Sequence, residues 1–405
     1  MTTTLPLADV KILDIMWVMA GPAGTRLLAD YGPTIVRVDS QRRIDTARTL
    51  QPFFKRKPGP DNSALFQNLN AGKYGVSIDL TKEAGREVIR DLVRWADVVT
   101  ESFSPRAMKG WGLDYESLRK IKPDIIMISS CLMGQSGPWA KFAGFGNLAA
   151  AISGFFNLVS WPDRPPAGPF SAYTDYVSPR FTAIAILAAL EHRRRTGQGQ
   201  YIDQSQAEAS LHFLTPALLD YTANGRVQSG IGNRDFDMAP HGVYPASGED
   251  RWLALAVQTD QQWQALCVAM GQAGLTEDSR FATREARLQH QDELDDIISA
   301  WTKTQDRFIL EDLLQARGVS AGAVRTMHEQ AADPQLQHRK HFVSVEHATL
   351  GTVTVEGSRF HMSRTPAEVK RAAPTWGQDN QYVLEQILGY SEEKITQLAV
   401  EGVLE

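Results

Sequence analysis

Cysteine is scarce in this sequence, which holds only two cysteines among its 405 residues. Cys131 and Cys267 lie in apolar surroundings, and two such residues cannot build a disulfide framework. This scarcity is typical of a reducing compartment and predicts a cytoplasmic protein. The first ten residues, MTTTLPLADV, contain no basic segment followed by an apolar core, so we expect no signal peptide.

Long hydrophobic runs and an excess of positive charge are also missing. The longest apolar run, from Ala183 to Leu190, is less than half of a membrane span and fits a buried helix, so no membrane partner is expected. The net charge of −5 gives no indication of nucleic-acid binding. A chain of 405 residues is long enough for two or three domains with ample core.

Several catalytic motifs are absent. The sequence has no Walker A motif and no G-x-S-x-G motif, which disfavours an α/β-hydrolase. All nine histidines lie at or after His192, and none has metal-ligand spacing with a second ligand; His338 and His341, three residues apart, are typical of a surface pair. We therefore predict no metal site.

One glycine pattern resembles a dinucleotide fingerprint. Gly144, Gly146 and Ala149 form G-x-G-x-x-A, but the preceding predicted strand ends at Ser129, well upstream. Because the fingerprint requires a strand that ends directly before it, the pattern is weak evidence for a dinucleotide site.

Residues 8–130 alternate between strand and helix signals, which favours an α/β fold with a parallel sheet and right-handed crossovers. The predicted strands are Lys11–Ile15, Thr34–Val38, Gly75–Asp79, Asp97–Thr100 and Asp124–Ser129, and the predicted helices are Ala23–Ala29 and Thr81–Trp95. Binding residues of such a sheet belong in the loops at the carboxyl ends of its strands. Those loops are Trp17–Gly24, Asp39–Arg48, Thr100–Trp111 and Ser130–Pro138.

The stretch from Gly168 to Gln206 contains a strong helix signal and a candidate catalytic carboxylate. Ser178 and Pro179 fit the N-cap and first position of a helix, which runs through an apolar face into a basic last turn and stops at Gly197. Asp175 then stands in a short polar loop just ahead of the helix. The positive end of the helix dipole favours its ionised form. Asp175 could be a nucleophile or a general base, or it could only help to cap the helix.

A composition change follows this stretch. Residues 224–245, NGRVQSGIGNRDFDMAPHGVYP, are rich in Gly, Asn and Pro and indicate a domain boundary. A smaller, more helical block comes next: we predict a strand at Trp252–Val257 and helices near Asp260–Met270, Gln289–Thr302 and Asp306–Arg317. In the tail we predict a hairpin of Gly351–Glu356 with Ser358–Met362 and a helical segment over Tyr382–Glu405.

Several segments in order resemble the class III CoA-transferases, also called the carnitine/formyl-CoA transferase family. They are MAGPAGTRLLADYGPTIVRVDS, NAGKYGVSIDL, ADVVTESFSPRAMKGWGLDYESL, GQSGPW, the Asp175 stretch, TDQQW, RGVSAGAV and the segment from DPQLQHR to SRTP. The resemblance covers nearly the whole chain, and the ordered set is more specific than any one segment.

The resemblance implies a large Rossmann-like domain built from both ends of the chain, a smaller α+β domain between them, and two interlocked subunits. On this basis we expect residues 1–205 to form the first part of the large domain and 206–230 a linker. Residues 231–325 would form the small domain, and 326–405 would return to the large one. The partners implied are acyl-CoA, a small carboxylic acid and a second copy of the chain, although a heteromer stays possible.

The resemblance also places the chemistry on Asp175. The family's catalytic aspartate precedes a long helix that ends in basic residues and TGxGQ, which is TGQGQ at residues 196–200 here. Asp175 would attack an acyl-CoA thioester and pass through anhydride and aspartyl-CoA thioester intermediates. CoA would be a substrate, with no permanently bound cofactor. A glycine-rich loop of the small domain covers the site in this family, and SGIGN at 229–233 is the candidate.

Positions near CoA follow from the same resemblance. Met19 and Ala20 would lie near the pantetheine, Ser40 beside the phosphates, Leu69 and Lys73 beside adenine, and Ser102, Phe103 and Trp111 along the molecule; Phe145 would line the acyl site. A polar residue is common where Met19 stands, an arginine where Ser40 stands and an asparagine where Ser102 stands. Arg42, Arg43 or Arg106 could supply the missing charge, or be solvated surface residues.

Two alternatives stay open. The α-methylacyl-CoA racemases of the same family use a histidine upstream of the aspartate, near Gly144 in this numbering, but this chain has no histidine before His192. A two-base racemase therefore lacks its partner. A subunit of a heteromeric CoA-transferase is the other alternative.

Overall fold

The computed structural model describes residues 4–405, so the first three residues of the segment interpreted as lacking a signal peptide lie outside the described residues. The described chain forms two compact units. The first comprises residues 4–156, 168–227 and 335–405, and the second comprises residues 157–167 and 228–334. The domain boundaries given above stay a prediction; residues 157–167, which group with the second unit, carried no boundary signal in the sequence.

A six-stranded parallel sheet is the centre of the first unit, and the α/β class predicted for the chain is confirmed. Its strands are β1 (Lys11–Asp14), β2 (Thr34–Asp39), β3 (Tyr74–Ser77), β4 (Val98–Glu101), β5 (Ile126–Cys131) and β6 (Tyr201–Ser205). They lie in the order β3-β2-β1-β4-β5-β6, the doubly wound arrangement in which ligands bind outside the carboxyl ends of the strands.

Helices cover both faces of this sheet. They are α1 (Ala20–Ala29), α2 (Thr46–Thr49), α3 (Ala64–Asn70), α4 (Glu83–Trp95), α5 (Ala107–Trp111), α6 (Tyr115–Ile121), α7 (Gly146–Ile152), α8 (Phe155–Leu158), α9 (Tyr173–Thr196), α10 (Gln206–Leu211) and α11 (Thr215–Asn224). Short 3-10 segments add Phe54–Arg56 and His212–Leu214.

Successive strand residues point to opposite faces, which gives the sheet two apolar cores. Ile12 packs with residues of α1 and α9 such as Leu28 and Ile186. Its neighbour Leu13 packs on the other face with residues of α4 such as Ile89. All five side chains are nearly or fully buried, and each such burial contributes roughly 1.5–3 kcal/mol.

The second unit has its own core and a three-stranded antiparallel sheet. Its elements are β7 (His241–Pro245), β8 (Trp252–Ala256), α12 (Asp260–Ala269), α13 (Arg284–Gln289), α14 (Gln291–Thr302), α15 (Arg307–Gln315), β9 (Ser320–Ala323) and α16 (Met327–Ala331), with a 3-10 turn at Ala273–Thr276. Trp263 and Phe281 are fully buried at its centre.

The tail returns to the first unit. It contains α17 (Pro334–His338), whose first residue still belongs to the second unit, then β10 (Phe342–His347), β11 (Gly351–Glu356), α18 (Asn380–Tyr382), a π-helical turn (Val383–Ile387) and α19 (Glu392–Val400). The predicted partner of Gly351–Glu356 was wrong: the strand pairs with Phe342–His347, which precedes it, and not with Ser358–Met362. Val403 and Leu404 bond to the end of β3, since Asp79 N donates to Val403 O (2.9 Å) and Leu404 bridges Ile78.

Among residues 4–405, none of the helices combines the length and the apolar character that crossing a membrane requires.

Candidate active site

Asp175 lies in the first turn of α9, which begins at Tyr173. The predicted helix start at Ser178 was wrong, and Asp175 is inside the helix and not in a loop ahead of it. The physical reason is packing: Thr174, Val177 and Ser178 are buried, and Thr174 Oγ1 donates to Gly146 O (2.9 Å). Pro179 is therefore inside the helix, where its missing N–H leaves the Asp175 carbonyl without its usual intrahelical donor.

The carboxylate of Asp175 is nearly inaccessible, with 6% of the residue exposed. Burial raises its pKa to about 6, while a hydrogen bond from Gln206 Nε2 to Asp175 Oδ1 acts in the opposite direction. The N-cap residue of α9 is Ala172, so Asp175 does not occupy the N-cap position. Its hydrogen-bonding partner is a side chain from another helix.

Gly146 makes room for this carboxylate. A Cβ atom at residue 146 would lie 2.6 Å from Asp175 Oδ1 and 2.7 Å from its Cγ, closer than real Cβ contacts. At Gly144 a Cβ would meet Leu148 Cδ2 at 2.6 Å. The G-x-G spacing is thus explained by close packing at the start of α7.

A cavity of about 130 Å³ lies outside the carboxyl ends of β1 to β4. It brings together five residues named from the sequence, Ser40, Arg42, Arg43, Phe103 and Trp111. Its other lining residues include Ile15, Trp17, Asp39, Asp79 and Thr81.

Three aromatic rings form one wall of this cavity. The Phe103 ring centroid lies 5.5 Å from that of Trp17 and 5.3 Å from that of Trp111, both in edge-to-face contact. Ser102 holds the Trp17 main chain in place, because its Oγ accepts a hydrogen bond from Trp17 N (2.9 Å). Such a wall suits a flat ring such as adenine.

Two arginines line the same cavity. Arg42 Nε donates to Asp79 Oδ2 (2.6 Å), and the Arg43 guanidinium lies 5.7 Å from the Trp17 ring centroid. Ser40 Oγ donates to Glu405 Oε2 (2.9 Å). Guanidinium groups at this position can bind phosphate oxygens. Arg106 is exposed at the residue before α5 and is not among the residues that line the cavity.

Lys73, which the resemblance places beside adenine, has an ammonium group that is held by protein acceptors. Its ammonium is fully buried and donates to Asp14 Oδ2 (2.8 Å), Pro22 O (2.9 Å) and Asn70 Oδ1 (3.0 Å). Burial lowers the pKa of Lys73 to about 8, against the opposing effect of Asp14. All three N–H groups have protein acceptors, so any contact with adenine at this position would come from the main chain. Leu69 is also buried.

The remaining predicted residues lie at the starts of helices. Met19, which is buried, directly precedes α1, and Ala20 begins it. Phe145 directly precedes Gly146 and is 62% exposed.

The glycine-rich loop at residues 229–233 lies in the second unit, where Gly232 N donates to Ser160 O (2.8 Å). The role of this loop as a cover for the site stays a prediction.

Within residues 4–405, no group of three or more His, Cys, Asp or Glu side chains is arranged to hold a metal ion.

The sequence pattern of CoA-transferase family III matches residues 7–380. The chain belongs to this family. A succinyl-CoA–D-citramalate CoA-transferase from Chloroflexus aurantiacus is 32% identical over 399 residues, covering 98% of each chain. A succinate–glutarate CoA-transferase from Agrobacterium fabrum is 34% identical over 386 residues, covering 94% of this chain and 96% of that protein. The crystal structure of a CAIB/BAIF family protein from Brucella suis superimposes with a TM-score of 0.87 at 29% identity, covering 95% of this chain and all of that one.

This family III protein is an enzyme that transfers CoA to a carboxylate. Acyl-CoA thioesters are the substrates of such an enzyme. The segments that resemble the family include residues of the parallel sheet and of the cavity.

Two groups at the sites of this CoA-transferase were missed by sequence reasoning. Trp17 lies in the loop Trp17–Gly24, which the sequence predicts as a binding loop, but the resemblance points only to Met19 and Ala20 within it. Gln206 is the last residue of the stretch around Asp175, and neither its residue type nor the resemblance assigns it a role. The position after β6, at the carboxyl edge of the sheet, was the available signal for Gln206.

Proposed function

We propose that this CoA-transferase uses Asp175 as its nucleophile. The observation that carries the proposal is a buried carboxylate that has no cationic partner in the described part of the chain. Within residues 4–405 the pKa of Asp175 responds only to burial and to the Gln206 hydrogen bond. A structural carboxylate is normally paired when it is buried, because desolvation of an unpaired charge destabilises the fold. A perturbed and unpaired group of this kind is typical of a functional site.

The reaction then has four steps. Asp175 attacks the donor thioester carbonyl, a mixed anhydride forms and CoA thiolate leaves. The thiolate attacks the aspartyl carbonyl of the anhydride, which expels the donor carboxylate and leaves an aspartyl-CoA thioester. The acceptor carboxylate attacks this thioester, giving a second anhydride and free thiolate. The thiolate finally attacks the acceptor carbonyl and returns Asp175 as a carboxylate.

Positioning supplies much of the catalysis in this scheme. A carboxylate is a weak nucleophile in water, but a fixed and desolvated one gains from proximity and from the loss of its hydration. Its pKa of about 6 keeps most of the nucleophile ionised at neutral pH while raising its basicity above that of an ordinary aspartate.

We propose that the CoA adenine and phosphates occupy the cavity lined by Trp17, Phe103 and Trp111. The aromatic wall fits a planar base, and Arg42 and Arg43 supply positive charge on the same cavity. We propose short dicarboxylic acids as the acyl donor and acceptor, because two relatives of similar length are named for succinyl-CoA with citramalate and for succinate with glutarate. Succinyl-CoA and acetyl-CoA tested against a panel of mono- and dicarboxylates would distinguish this class from others.

The nucleophile can be tested by trapping. The enzyme incubated with donor acyl-CoA alone, and then with hydroxylamine or borohydride, should show a mass shift on the peptide that contains Asp175. The Asp175→Ala variant should fold, since residue 175 contributes no apolar packing, but should lose turnover and labelling. Near-normal turnover by Asp175→Ala, or a label on another residue, would refute the mechanism.

A further inference from the structure

Gln206 belongs to α10, a third helix beside α7 and α9, and its side chain contacts the carboxylate of Asp175. It is the first residue of α10, directly after β6, and only 6% of it is exposed. Ser205 caps this helix by accepting a hydrogen bond from Glu208 N (3.2 Å). Since α10 packs against both α7 and α9, the Gln206 side chain lies where those helices begin.

Both N–H groups of the Gln206 amide have an acceptor. One donates to Thr174 Oγ1 (3.0 Å) and the other to Asp175 Oδ1. The Thr174 hydroxyl has a single proton, which it donates to Gly146 O (2.9 Å), so towards Gln206 it can only accept. This chain of bonds fixes the amide with its nitrogen facing the carboxylate, because the reversed amide would place its oxygen against two acceptors.

We propose that Gln206 is a catalytic residue that stabilises the oxyanion formed on the Asp175 side chain. This inference rests on the proposed function, in which Asp175 is the nucleophile. When Asp175 Oδ2 forms the bond to the acyl carbon, Oδ1 becomes the aspartyl carbonyl oxygen of the anhydride. Gln206 Nε2 is already bonded to that oxygen.

The electron movements identify the steps that depend on Gln206. As the thiolate adds to Asp175 Cγ, the carbonyl electron pair moves onto Oδ1, and the pair returns when the donor carboxylate leaves. The acceptor carboxylate later adds to the same carbon of the thioester, so charge develops on Oδ1 again. A fixed N–H donor in a buried site stabilises such charge more than water does. The two remaining steps place their oxyanion on the substrate and gain nothing from this contact.

Gln206→Met tests the donor, because methionine has a similar length and no N–H. Gln204→Met is a matched control: Gln204 is a buried amide two residues earlier, and its Nε2 donates to Ser178 O (3.0 Å) and Ser178 Oγ (2.9 Å). We expect Gln206→Met to lose roughly 100-fold in kcat, the usual effect of removing one oxyanion donor. A single turnover with donor acyl-CoA should form the aspartyl-CoA thioester more slowly by a similar factor. Gln204→Met should remain close to the unmodified enzyme in both measurements.

The pH dependence separates this role from a structural one. Loss of the donor removes an interaction that lowers the pKa of Asp175, so the midpoint of the kcat–pH profile should rise in Gln206→Met. It should rise further in Gln206→Glu, whose carboxylate repels that of Asp175. Gln206→Glu, of nearly the same size as glutamine, also keeps the test open if Gln206→Met does not fold.

The outcomes are distinct. A Gln206→Met enzyme that loses no more activity than Gln204→Met, or that keeps the original midpoint, overturns the role of Gln206 and leaves the nucleophile untouched. Turnover by Asp175→Ala overturns the proposed function itself. The ordered rise of the midpoint from unmodified enzyme to Gln206→Met to Gln206→Glu, together with slow thioester formation, supports the inference.

Discussion

The ionised carboxylate of Asp175, which is the form proposed to act in catalysis, lowers the stability of the folded protein. Its folded pKa, about 6, exceeds the ordinary value of 3.8 because the ionised form is desolvated. The folded state therefore binds the proton more tightly than the unfolded state does. Its relative stability is greatest below about pH 4 and falls as the pH rises towards 6, by roughly 2–3 kcal/mol for a shift of this size.

Asp175→Asn should remove this destabilisation. Asparagine has the same shape, carries no charge and can still accept a hydrogen bond from Gln206. We expect a higher melting temperature than the unmodified enzyme at about pH 8 and a clearly smaller increase at about pH 4.5. Thermal unfolding across that range measures the effect. Asp163→Asn is the control, because Asp163 is an exposed carboxylate, and it should not stabilise at either pH. Equal melting temperatures of Asp175→Asn and the unmodified enzyme at the higher pH would contradict the perturbed pKa.

At the scale of secondary-structure elements, the sequence predicted the strands better than the starts of the helices. The predicted strands at Lys11–Ile15, Thr34–Val38 and Asp124–Ser129 all overlap observed ones, because short apolar runs between polar turns are a local signal. The predicted start of α9 was wrong because Ser178 and Pro179 are the residue types preferred at the start of a helix, although α9 begins at Tyr173. Only tertiary packing of Thr174 against α7 decides the matter, and that contact is not local in the sequence.

The predicted strand pairing of the hairpin in the tail was wrong for a related reason. Its turn contains no Asn-Gly or Asp-Gly pair, which would have marked it. Instead the His347 ring accepts hydrogen bonds from Thr349 N and Leu350 N (both 3.2 Å), and Gly351 takes a positive φ of 76°. A side chain thus stabilises the turn, and its sequence carries no strong pattern.

Close packing between α7 and α9 gives a prediction at the same scale. Gly146→Ala places a methyl group 2.6 Å from Asp175 Oδ1, so the carboxylate must move or α7 must shift. We expect kcat to fall by about 100-fold, since small displacements of reacting groups have effects of this size. Steady-state kinetics with donor and acceptor at saturation would measure the loss.

Gly274→Ala is the matched control, because a Cβ there would meet nothing within 4 Å. It should leave kcat unchanged. Full activity in Gly146→Ala would show that the carboxylate tolerates displacement and would weaken the geometry argued for the nucleophile.

The site itself was partly predictable. Asp175, Ser40, Phe103 and Trp111 lie in the segments that resemble the family, whereas Arg42 and Arg43 were named only as replacements for a charge that is missing at Ser40. Two other contacts join residues that are far apart in the chain. They are the ion pair between Lys73 and Asp14 and the hydrogen bond from Gln206 to Asp175. Contacts of that kind depend on the folded packing, and no pattern in a single sequence specifies them.

At the scale of the whole molecule, α11 is a helix that the rest of the described chain leaves largely uncovered. None of its residues is buried, and Leu218, Leu219 and Tyr221 are each more than half exposed. Contiguous exposed apolar surface of this kind marks an interaction site. It agrees with the prediction, drawn from the family resemblance, that two subunits interlock, and such an interface would bury well above ~2,000 Å².

Sedimentation at about nanomolar concentration tests the assembly, because an interlocked dimer separates only when a domain opens. We expect a dimer at every concentration at which the enzyme is active. Leu219→Lys should weaken it, whereas Val400→Lys, at an exposed apolar residue of α19, should not. A folded, active monomer would refute the interlocked arrangement, and a requirement for a second polypeptide would indicate a heteromer.

The path of the tail has a consequence for the order in which the protein is made. All six strands of the parallel sheet are complete at Ser205, but part of the core on one face comes from Val383, Leu384, Tyr390 and Val403. A ribosome adding roughly 5–20 residues per second needs roughly 10 to 40 s to travel from the last strand to these residues. During that interval one apolar face of the nascent sheet is exposed to solvent or to a chaperone, and the native core is completed only after residues 383–403 have been synthesised.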